Sequence, residues 1–404
     1  MKTKLIALAL FVGTTVSVAL FPLFNGVAAN PQPNVHPVLL PPAIPINNEK
    51  PRVEAVFVLD TTGSMSGLIQ AAKEKIWSIA NTMASAQPAP EIRIGLVAYR
   101  DRGDAYITQV VDLSADLDST YATLMDFRAG GGGDGPESVN QALDDAVNRM
   151  SWSQDDKTYK VVFLVGDAPA HMDYQDDVKY PVTIAAAKQR GIVINAIQSG
   201  RNGEALRMWQ QIAQAGSGEY FQVEQSGNAV AIATPFDKEL AELSARMDET
   251  RLYYGSAEKK LKQRSKVAAS DKLHASSSVE SRARRAAFNV SKSGESNFLG
   301  DGELVDDVAS GRVDISSIEE AHLPEPMQAM APAKRKAVIA EKAEQRKELQ
   351  AQIKSMAEKR SSYLKEKVEA EGGAKDSLDE KIYSAVRKQA ADMGLRYESE
   401  SADY

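Results

Sequence analysis

Residues 54–66 read EAVFVLDTTGSMS, and this stretch decides the fold. Five consecutive apolar residues, 55–59, are typical of a strand that is buried on both faces of a sheet. A turn of small polar residues follows at 60–66, and a helical pattern begins at Leu68. The order strand, tight turn and helix indicates the first unit of a parallel β/α fold.

The same alternation of apolar strands and helical stretches continues to about Met247. Six strands are predicted, the third from a weaker pattern: Glu54–Leu59, Ile92–Tyr99, Ile107–Val111, Lys160–Val165, Ile192–Ile197 and Tyr220–Val223. Six helices are predicted: Leu68–Ala84, Leu117–Phe127, Ser138–Met150, Val182–Arg190, Glu204–Ala215 and Asp237–Met247. The predicted fold class is therefore α/β, with a doubly wound, mostly parallel sheet.

The flanking regions divide the chain further. Residues 1–29 carry two lysines, an apolar run and small residues, which indicates a signal peptide, with an uncleaved N-terminal anchor as the alternative. Residues 30–51 are rich in Pro and Asn and are predicted to form a tether, followed by the α/β domain at 52–250. Residues 251–300 hold 11 Lys and Arg, 4 Asp and Glu and 10 Ser, a composition typical of a linker. Residues 301–404 are predicted to form a mainly helical tail.

The tail contains a long helical run from Lys334 to Glu371. Five of its apolar residues form a narrow stripe: Leu349, Ile353, Met356, Leu364 and Val368. A helix in a protein is stabilised mainly by burial of such a stripe. We expect the stripe to dock on a partner protein or on a second copy of the chain, and a simple spacer helix is the alternative.

Charge and cysteine content limit the partners and the compartment. The chain has 48 Lys and Arg against 55 Asp and Glu, and it has no cysteine. The negative balance argues against general nucleic-acid binding, and thiolate metal sites are excluded. With the N-terminal segment, this predicts an exported protein, periplasmic or secreted. Arg282, Arg284 and Arg285 are candidates for peripheral contact with anionic lipid or with an acidic partner, against a solvated linker as the alternative.

Oxygen-bearing side chains follow three of the predicted elements at one edge of the sheet. Asp60, Thr62 and Ser64 alternate after the first strand, Asp134 lies in a glycine-rich loop, and Asp167 follows the fourth strand. Ligands of doubly wound sheets bind at the carboxyl ends of the strands. Hydroxyls and a few carboxylates suit Mg²⁺ or Mn²⁺, whereas Ca²⁺ asks for more ligands.

The spacing Asp60-x-Thr62-x-Ser64 resembles the Asp-x-Ser-x-Ser motif of von Willebrand factor A domains, the metal-ion-dependent adhesion site. The resemblance covers about residues 52–250. The runs Asp-x-Thr-Gly-Ser, Gly-Gly-Gly-Asp-x-Pro-Glu and Asp-Ala-Pro are similar to the branch found in hemicentins and in alpha-kinases with such a domain. The resemblance implies direct metal contact by Thr62 and Ser64, with Asp60 and Asp167 often acting through water, and a partner protein as the ligand.

Two residues depart from the family motif. Thr62 replaces the usual Ser and keeps the hydroxyl. Asp134 stands where the family normally has a metal-binding Thr. The extra carboxylate should tighten metal binding and weaken the capture of an acidic ligand.

The alternatives to a metal-dependent binding protein have less support in the sequence. Asp60 and Ser64 could simply cap the following helix, Glu137 is either a cap or a metal ligand, and His171 is either surface or part of the ligand site. A metal-dependent hydrolase is the alternative to a binding protein, because Ser64, His171 and Asp167 are the residue types of a hydrolytic triad. No Gly-x-Ser-x-Gly elbow is present, and no kinase core follows residue 250. We expect a binding protein and not an enzyme.

Overall fold

Six strands form one sheet in the order β3-β2-β1-β4-β5-β6. They are β1 Arg52–Asp60, β2 Glu91–Tyr99, β3 Thr108–Ser114, β4 Tyr159–Gly166, β5 Ile192–Ser199 and β6 Ser217–Val223. All neighbours are parallel except the edge strand β3, which is antiparallel to β2. The central strands β1 and β4 are buried almost throughout, and helices on both faces explain their continuous apolar sequence. The predicted fold class is confirmed.

This computed structural model describes residues 50–133, 135–226, 232–370, 377–399 and 402. The predicted signal peptide and nearly all of the predicted tether lie outside the described residues, as does Asp134. Within the described ranges, no helix has both the length and the apolar character that a membrane crossing requires.

The predicted helices of the α/β domain are present with small shifts at their ends. They are α1 Ser66–Ala84, α2 Leu117–Leu124, α3 Val139–Asn148, α4 Tyr180–Gln189, α5 Gly203–Ala215 and α6 Asp237–Asp248. Helices α3, α4 and α5 cover one face of the sheet, where Leu143 and Trp209 are buried. Helices α1 and α2 cover part of the other face, where Trp77 and Tyr121 meet edge to face with ring centroids 5.7 Å apart.

The structure replaces the predicted linker at 251–300 with three packed helices. They are α7 Ala257–Ser276, α8 Val279–Asn289 and α9 Glu295–Leu299. Two of the serines are helix caps: Ser256 accepts from the backbone of α7, and Ser278 does so for α8. Several basic residues pair with acidic residues around α2, as Lys266 does with Asp116 at 2.7 Å. The serine-rich, basic composition therefore belongs to a docked helical layer.

Two of the three arginines considered for lipid contact are buried. The guanidinium of Arg285 donates to both carboxylate oxygens of Asp118 at 2.7 and 2.6 Å, and it pairs with Asp248 at 2.8 Å. Arg284 is also buried. The predicted basic surface is corrected accordingly, because these charges face the interior of the protein.

The C-terminal region adds α10 Leu304–Ala309, α11 Glu325–Gln328, α12 Pro332–Ala370 and α13 Leu378–Gln389. The apolar stripe of α12 is covered by the chain itself. Leu349 and Ile353 pack in a cluster with Leu243 of α6, while Leu364 and Val368 join the core beneath the sheet. The expectation that a partner or a second chain covers this stripe is therefore wrong.

Helix α13 completes the sheet face that α1 and α2 leave open. Ile382 and Tyr383 are buried in the same core as α1. Gln389 accepts a hydrogen bond from the hydroxyl of Tyr159 on β4 at 2.7 Å and bonds with the amide of Asn195 on β5. The core of the α/β domain thus includes residues from the far end of the chain.

Candidate functional site

The loop after β1 concentrates oxygen atoms at the carboxyl edge of the sheet. Oδ1 of Asp60 accepts hydrogen bonds from the backbone N–H of Thr62 at 2.9 Å and from its hydroxyl at 2.7 Å. Oδ2 of Asp60 is buried and has no hydrogen-bond partner in the described part of the chain. The hydroxyl oxygens of Thr62 and Ser64 are 3.4 Å apart. The loop therefore presents two neighbouring hydroxyls above one incompletely bonded carboxylate.

The glycine-rich loop is held against the loop after β1 by backbone hydrogen bonds. The N–H of Gly63 donates to the carbonyl of Gly131 at 3.2 Å, and the N–H of Gly130 donates to the carbonyl of Thr61 at 3.1 Å. Gly131 has a φ of 79°, and a Cβ there would lie 2.3 Å from the carboxyl carbon of Asp104. Only glycine fits this position, so the glycine run fixes the wall of the site.

A cleft of about 360 Å³ opens between these loops and the ends of β4, β5 and β6. The polar side chains in its lining come from eight residues: Thr62, Ser64, Glu137, Asp167, Ser199, Arg201, Asn202 and Gln225. Four of the five predicted site residues are thus brought together, with Asp60 bonded beneath Thr62. The fifth, Asp134, lies outside the described residues. We call this space the strand-end cleft.

Burial and negative charge raise the pKa values of two carboxyl groups in the strand-end cleft. Burial raises the pKa of Asp60 to about 7, and the charge of Asp167 adds to the effect while the hydrogen bonds from Thr62 oppose it. Burial, followed by the charges of Asp60 and other nearby carboxylates, raises the pKa of Glu137 to about 9. Both carboxyl groups are therefore harder to ionise than exposed ones, and a nearby positive charge would favour their ionised forms.

The donor set fits a divalent cation. Besides Oδ2 of Asp60, the buried Oε2 of Glu137 has no hydrogen-bond partner among the described residues. Carboxylate and hydroxyl oxygens are the ligands that Mg²⁺ and Mn²⁺ prefer. No group of three or more Asp, Glu, His or Cys side chains in the described ranges is arranged to hold a metal ion. A cation here would therefore also need the hydroxyls of Thr62 and Ser64.

A buried phenol lies under these carboxylates. The hydroxyl of Tyr99 is buried and unpaired within the described residues. A Cβ at Gly166 would lie 2.4 Å from this hydroxyl oxygen and 3.0 Å from Cβ of Asp60, so β4 must end in glycine for the two to fit. Burial, together with the charges of Asp60 and Glu137, raises the pKa of Tyr99 well above its usual value. The phenol stays neutral and is available as a hydrogen-bond donor.

Sequence reasoning missed the residues contributed by the last two strands. The side-chain amide of Gln225, which follows β6, donates to Oδ2 of Asp167 at 2.8 Å and to the backbone carbonyl of Ser64 at 3.1 Å. The hydroxyl of Ser199, at the end of β5, is buried without a described partner. Both follow the rule that ligand-facing residues cluster at the carboxyl ends of parallel strands, and this position was the available signal.

His171 lies outside the lining of the strand-end cleft. Its ring is 2.8 Å from the carboxylate of Asp173 and 3.3 Å from that of Asp101, and it stacks on Tyr174 with centroids 4.0 Å apart. The ring is therefore fixed outside the cleft lining, between the buried Asp101 and the exposed Asp173. The described residues do not assemble a Ser64–His171–Asp167 triad in the cleft.

A doubly wound sheet with hydroxyls and carboxylates gathered at its carboxyl edge defines a class of α/β binding domain. Comparison with known families identifies it further: residues 54–234 match the family model of the von Willebrand factor A domain. This part of the chain is a von Willebrand factor A (VWA) domain.

Two curated proteins show similarity in sequence. The alpha-protein kinase vwkA of Dictyostelium discoideum is 28% identical over 129 residues, which is 30% of this chain and 19% of that protein. The putative ariadne-like RING finger protein R811 of Acanthamoeba polyphaga mimivirus is 28% identical over 119 residues, 30% of this chain and 11% of that protein. The chain thus spans less than a fifth of the length of either relative.

Two solved structures show weak similarity. The SpRpn10 VWA domain aligns with a TM-score of 0.34 and 14% identity, covering 46% of this chain and 100% of that one. Proximal thread matrix protein 1 from the mussel byssus aligns with a TM-score of 0.33 and 15% identity, covering 44% of this chain and 42% of that one. Both alignments cover less than half of this chain.

Proposed function

We propose that this protein is an exported, divalent-cation-dependent protein-binding module that recognises a partner through the strand-end cleft. VWA domains are generally protein-interaction modules, which gives the class of function. The observation that carries the metal dependence is the pair of buried carboxylate oxygens without hydrogen-bond partners in the described structure, Oδ2 of Asp60 and Oε2 of Glu137. Burying such atoms is costly unless something compensates them.

Some residues of the strand-end cleft are candidate ligands of the cation. Thr62 and Ser64 would contact Mg²⁺ or Mn²⁺ through their hydroxyls, and Asp60 and Asp167 would contribute negative charge. Glu137 joins this set because of its buried, unpaired oxygen. Asp134 remains a predicted ligand. The bound cation would supply a positive point that accepts an oxygen atom of the partner protein.

Other residues of the cleft would shape recognition. Gln225 holds the carboxylate of Asp167 and the loop at Ser64 in place through its amide. Arg201 is largely exposed at the edge of the cleft, where it pairs with Glu224 at 3.4 Å. Such exposed polar groups around a central contact can discriminate between partners while contributing little affinity.

The metal assignment is tested by calorimetric titration with Mg²⁺ and Mn²⁺. Ser64→Ala and Asp60→Ala should abolish detectable binding, because each removes an oxygen from a small donor set. Ser66→Ala is the matched control, since Ser66 is exposed and does not line the cleft. Circular dichroism checks that each variant is folded. Normal Mg²⁺ binding by both cleft variants would refute the proposed site.

Partner binding and export need separate measurements. Proteins captured from the envelope or medium by the wild-type chain in Mg²⁺ should be lost with EDTA and with Ser64→Ala, and retained with Ser66→Ala. A partner that binds equally in EDTA would separate binding from the cation. N-terminal sequencing of the protein recovered from its native source should give a start near Asn30 if the signal peptide is removed. Recovery of the intact N-terminus would support the anchor alternative.

A further inference from the structure

The connection from β4 to α4 is long for an α/β fold. It takes residues 167–179, whereas such connections usually take about 2–6 residues. A connection longer than about 12 residues is usually either functional or disordered. This one begins with Asp167 and Ala168, which line the strand-end cleft, so its surface is continuous with the cleft. We call the exposed part of residues 172–182 the β4–α4 surface.

Side-chain contacts hold this connection in place. The ring of Tyr174 stacks on His171 with centroids 4.0 Å apart, and its hydroxyl donates to the buried Asp101 at 2.9 Å. The guanidinium of Arg102 lies 4.1 Å from the centroid of the Tyr174 ring and donates to Asp177 at 2.5 Å. A surface that is already ordered loses little conformational entropy when a partner binds to it.

Hydrogen bonds from the start of α3 join the connection to the wall of the strand-end cleft. The side-chain amide of Asn140 donates to the carbonyl of His171 at 2.6 Å, and its oxygen accepts from the N–H of Tyr180 at 2.9 Å. The N–H of His171 donates to the carbonyl of Glu137, a residue of the cleft lining, at 3.1 Å. The cleft and the β4–α4 surface therefore belong to one bonded unit.

This fixed surface exposes apolar side chains. Of the six exposed large apolar residues in the described part of the chain, three lie here: Met172 at 43%, Val178 at 45% and Val182 at 64% exposure. The sulfur of Met172 is 3.8 Å from the amide nitrogen of Asn140, which also holds Tyr180 between the two valines. The three side chains therefore surround one point. Apolar residues grouped on an ordered surface are typical of a protein interface.

The strand-end cleft alone is too small to hold a protein partner. It has a volume of about 360 Å³, which is enough for one or two side chains. A stable protein interface buries about 800 Å² on each partner, the area of a disc of about 16 Å radius. A partner centred on the cation must therefore also contact the surface around the cleft, and the β4–α4 surface begins at the cleft lining.

The charges around the apolar side chains are mainly negative. Residues 172–182 contain three aspartates and one lysine, Lys179. The side chains of Asp173 and Asp176 are each 75% exposed. Arg102 pairs with both Asp176 and Asp177, so one positive charge serves two carboxylates. A partner that complements this surface carries basic residues around an apolar centre.

We propose that the partner of the strand-end cleft also docks on the β4–α4 surface, as a protein segment with apolar side chains flanked by Lys or Arg. Its apolar side chains pack on Met172, Val178 and Val182 while one of its oxygen atoms reaches the cation. This inference rests on the proposed function, because one partner occupies both places. The cation makes binding metal-dependent, and the apolar contacts supply affinity.

The probe is a phage-displayed library of random dodecapeptides, bound to the full chain in Mg²⁺ and eluted with EDTA. An extended dodecapeptide spans about 40 Å and can cover both places. The eluted peptides should combine apolar residues with Lys or Arg. In calorimetry with one such peptide, Met172→Asp and Val182→Asp should each weaken binding about tenfold or more, because each places a charge in an apolar contact. Binding of Mg²⁺ itself should be unchanged, since neither residue lines the cleft.

Leu261→Asp is the matched control. Leu261 is 65% exposed on α7, which equals the exposure of Val182, and it lies outside the cleft and the β4–α4 surface. This variant should bind the peptide as the wild type does, and circular dichroism checks the fold of all three variants.

The remaining outcomes separate the inference from the proposed function. A peptide that requires Mg²⁺ and Ser64, yet binds Met172→Asp and Val182→Asp normally, overturns the docking surface and leaves the cation site intact. Eluted peptides rich in Asp and Glu overturn the stated chemistry of the partner. If EDTA elutes no peptide, or if the bound peptides are indifferent to Ser64→Ala, the proposed function and this inference fail together.

Discussion

Two buried aspartates of this protein have pKa values that are shifted in opposite directions. Asp60, beneath the strand-end cleft, forms no ion pair with a basic side chain among the described residues, and burial raises its pKa to about 7. Asp118 at the start of α2 is equally buried, and burial alone would raise its pKa, but the charge and hydrogen bonds of Arg285 hold it well below the usual value. The neighbouring charge therefore decides whether a buried carboxylate is ionised.

The comparison separates a region where an arginine pairs with a buried carboxylate from one where no basic side chain of the described residues does so. Around Asp118, Arg285 also pairs with Asp248 of α6, so one guanidinium joins α2, α6 and α8. Around Asp60, the corresponding positive charge is missing within the described structure. The first region is a structural joint between the VWA domain and the helical layer. The second has the electrostatics of a binding site.

The largest effect is expected from cutting the chain at residue 250. A fragment of residues 50–250 loses Arg285, the ion-pair partner of Asp118, and it loses Ile382 and Tyr383 from the sheet face. We expect this fragment to be unfolded or to expose apolar surface, whereas residues 50–404 should give a cooperative thermal transition. The measurement is circular dichroism with heating. A 50–250 fragment that unfolds cooperatively at the same temperature would show that the helical layer is dispensable.

The next largest loss of stability is expected when the ion pairs of Arg285 with Asp118 and Asp248 are broken. Arg285→Met leaves Asp118 and Asp248 buried without their shared partner, and breaking such a pair costs about 3–5 kcal/mol of the free energy of unfolding. The control is Lys272→Met, because Lys272 pairs with Asp126 in an exposed position where a salt bridge contributes less than about 1 kcal/mol. Urea denaturation measures both. If both variants lose the same small amount of the free energy of unfolding, the ion pairs of Arg285 do not stabilise the packing of the C-terminal helices on the VWA domain.

The sequence was sufficient for the sheet and for the first loop of the cleft. Continuous apolar runs identify strands such as β1 and β4, and the strand-end rule brings Asp60 and Asp167 to one edge. The helical layer could not be predicted in the same way. The acidic partners of Lys266, Lys272 and Arg285 around α2 lie about 150 residues earlier, so the local composition resembles that of a solvated linker.

The stripe on α12 illustrates the same limit. Its spacing correctly indicated that Leu349 and Ile353 would be covered, but periodicity carries no information on what covers them. In the cleft, Gln225 and Ser199 follow strands whose positions were predicted. Their side chains carried no motif of their own, and only the sheet order brings them beside Ser64.

The same substitution should have opposite effects in the two regions. A carboxyl group whose pKa is raised on folding costs stability as pH rises from its unfolded value of 3.8 to its folded value of about 7. In EDTA at pH 8, Asp60→Asn should therefore raise the free energy of unfolding, by up to about 4 kcal/mol at about 1.4 kcal/mol per pKa unit.

Asp118→Asn should lower the free energy of unfolding at the same pH, because it removes a charge whose pKa is depressed by Arg285. Urea denaturation of the two variants in one buffer makes the comparison direct. Destabilisation by both substitutions would mean that the carboxylate of Asp60 is already compensated within the metal-free protein.

The smallest effect is the pH dependence of cation binding, and its shape identifies the ligands. A proton on Asp60 competes with Mg²⁺, so affinity should rise with pH and change by up to about tenfold per unit below the pKa of about 7. If Glu137 is also a ligand, the rise should continue towards its pKa of about 9, and Glu137→Gln should remove that upper part alone. If the affinity of the wild type for Mg²⁺ stays constant above pH 7, Glu137 is not a ligand. Affinity that is constant from pH 6 to 8 in calorimetry would exclude Asp60 as well, because a buried carboxyl of raised pKa must lose its proton before it can neutralise a cation.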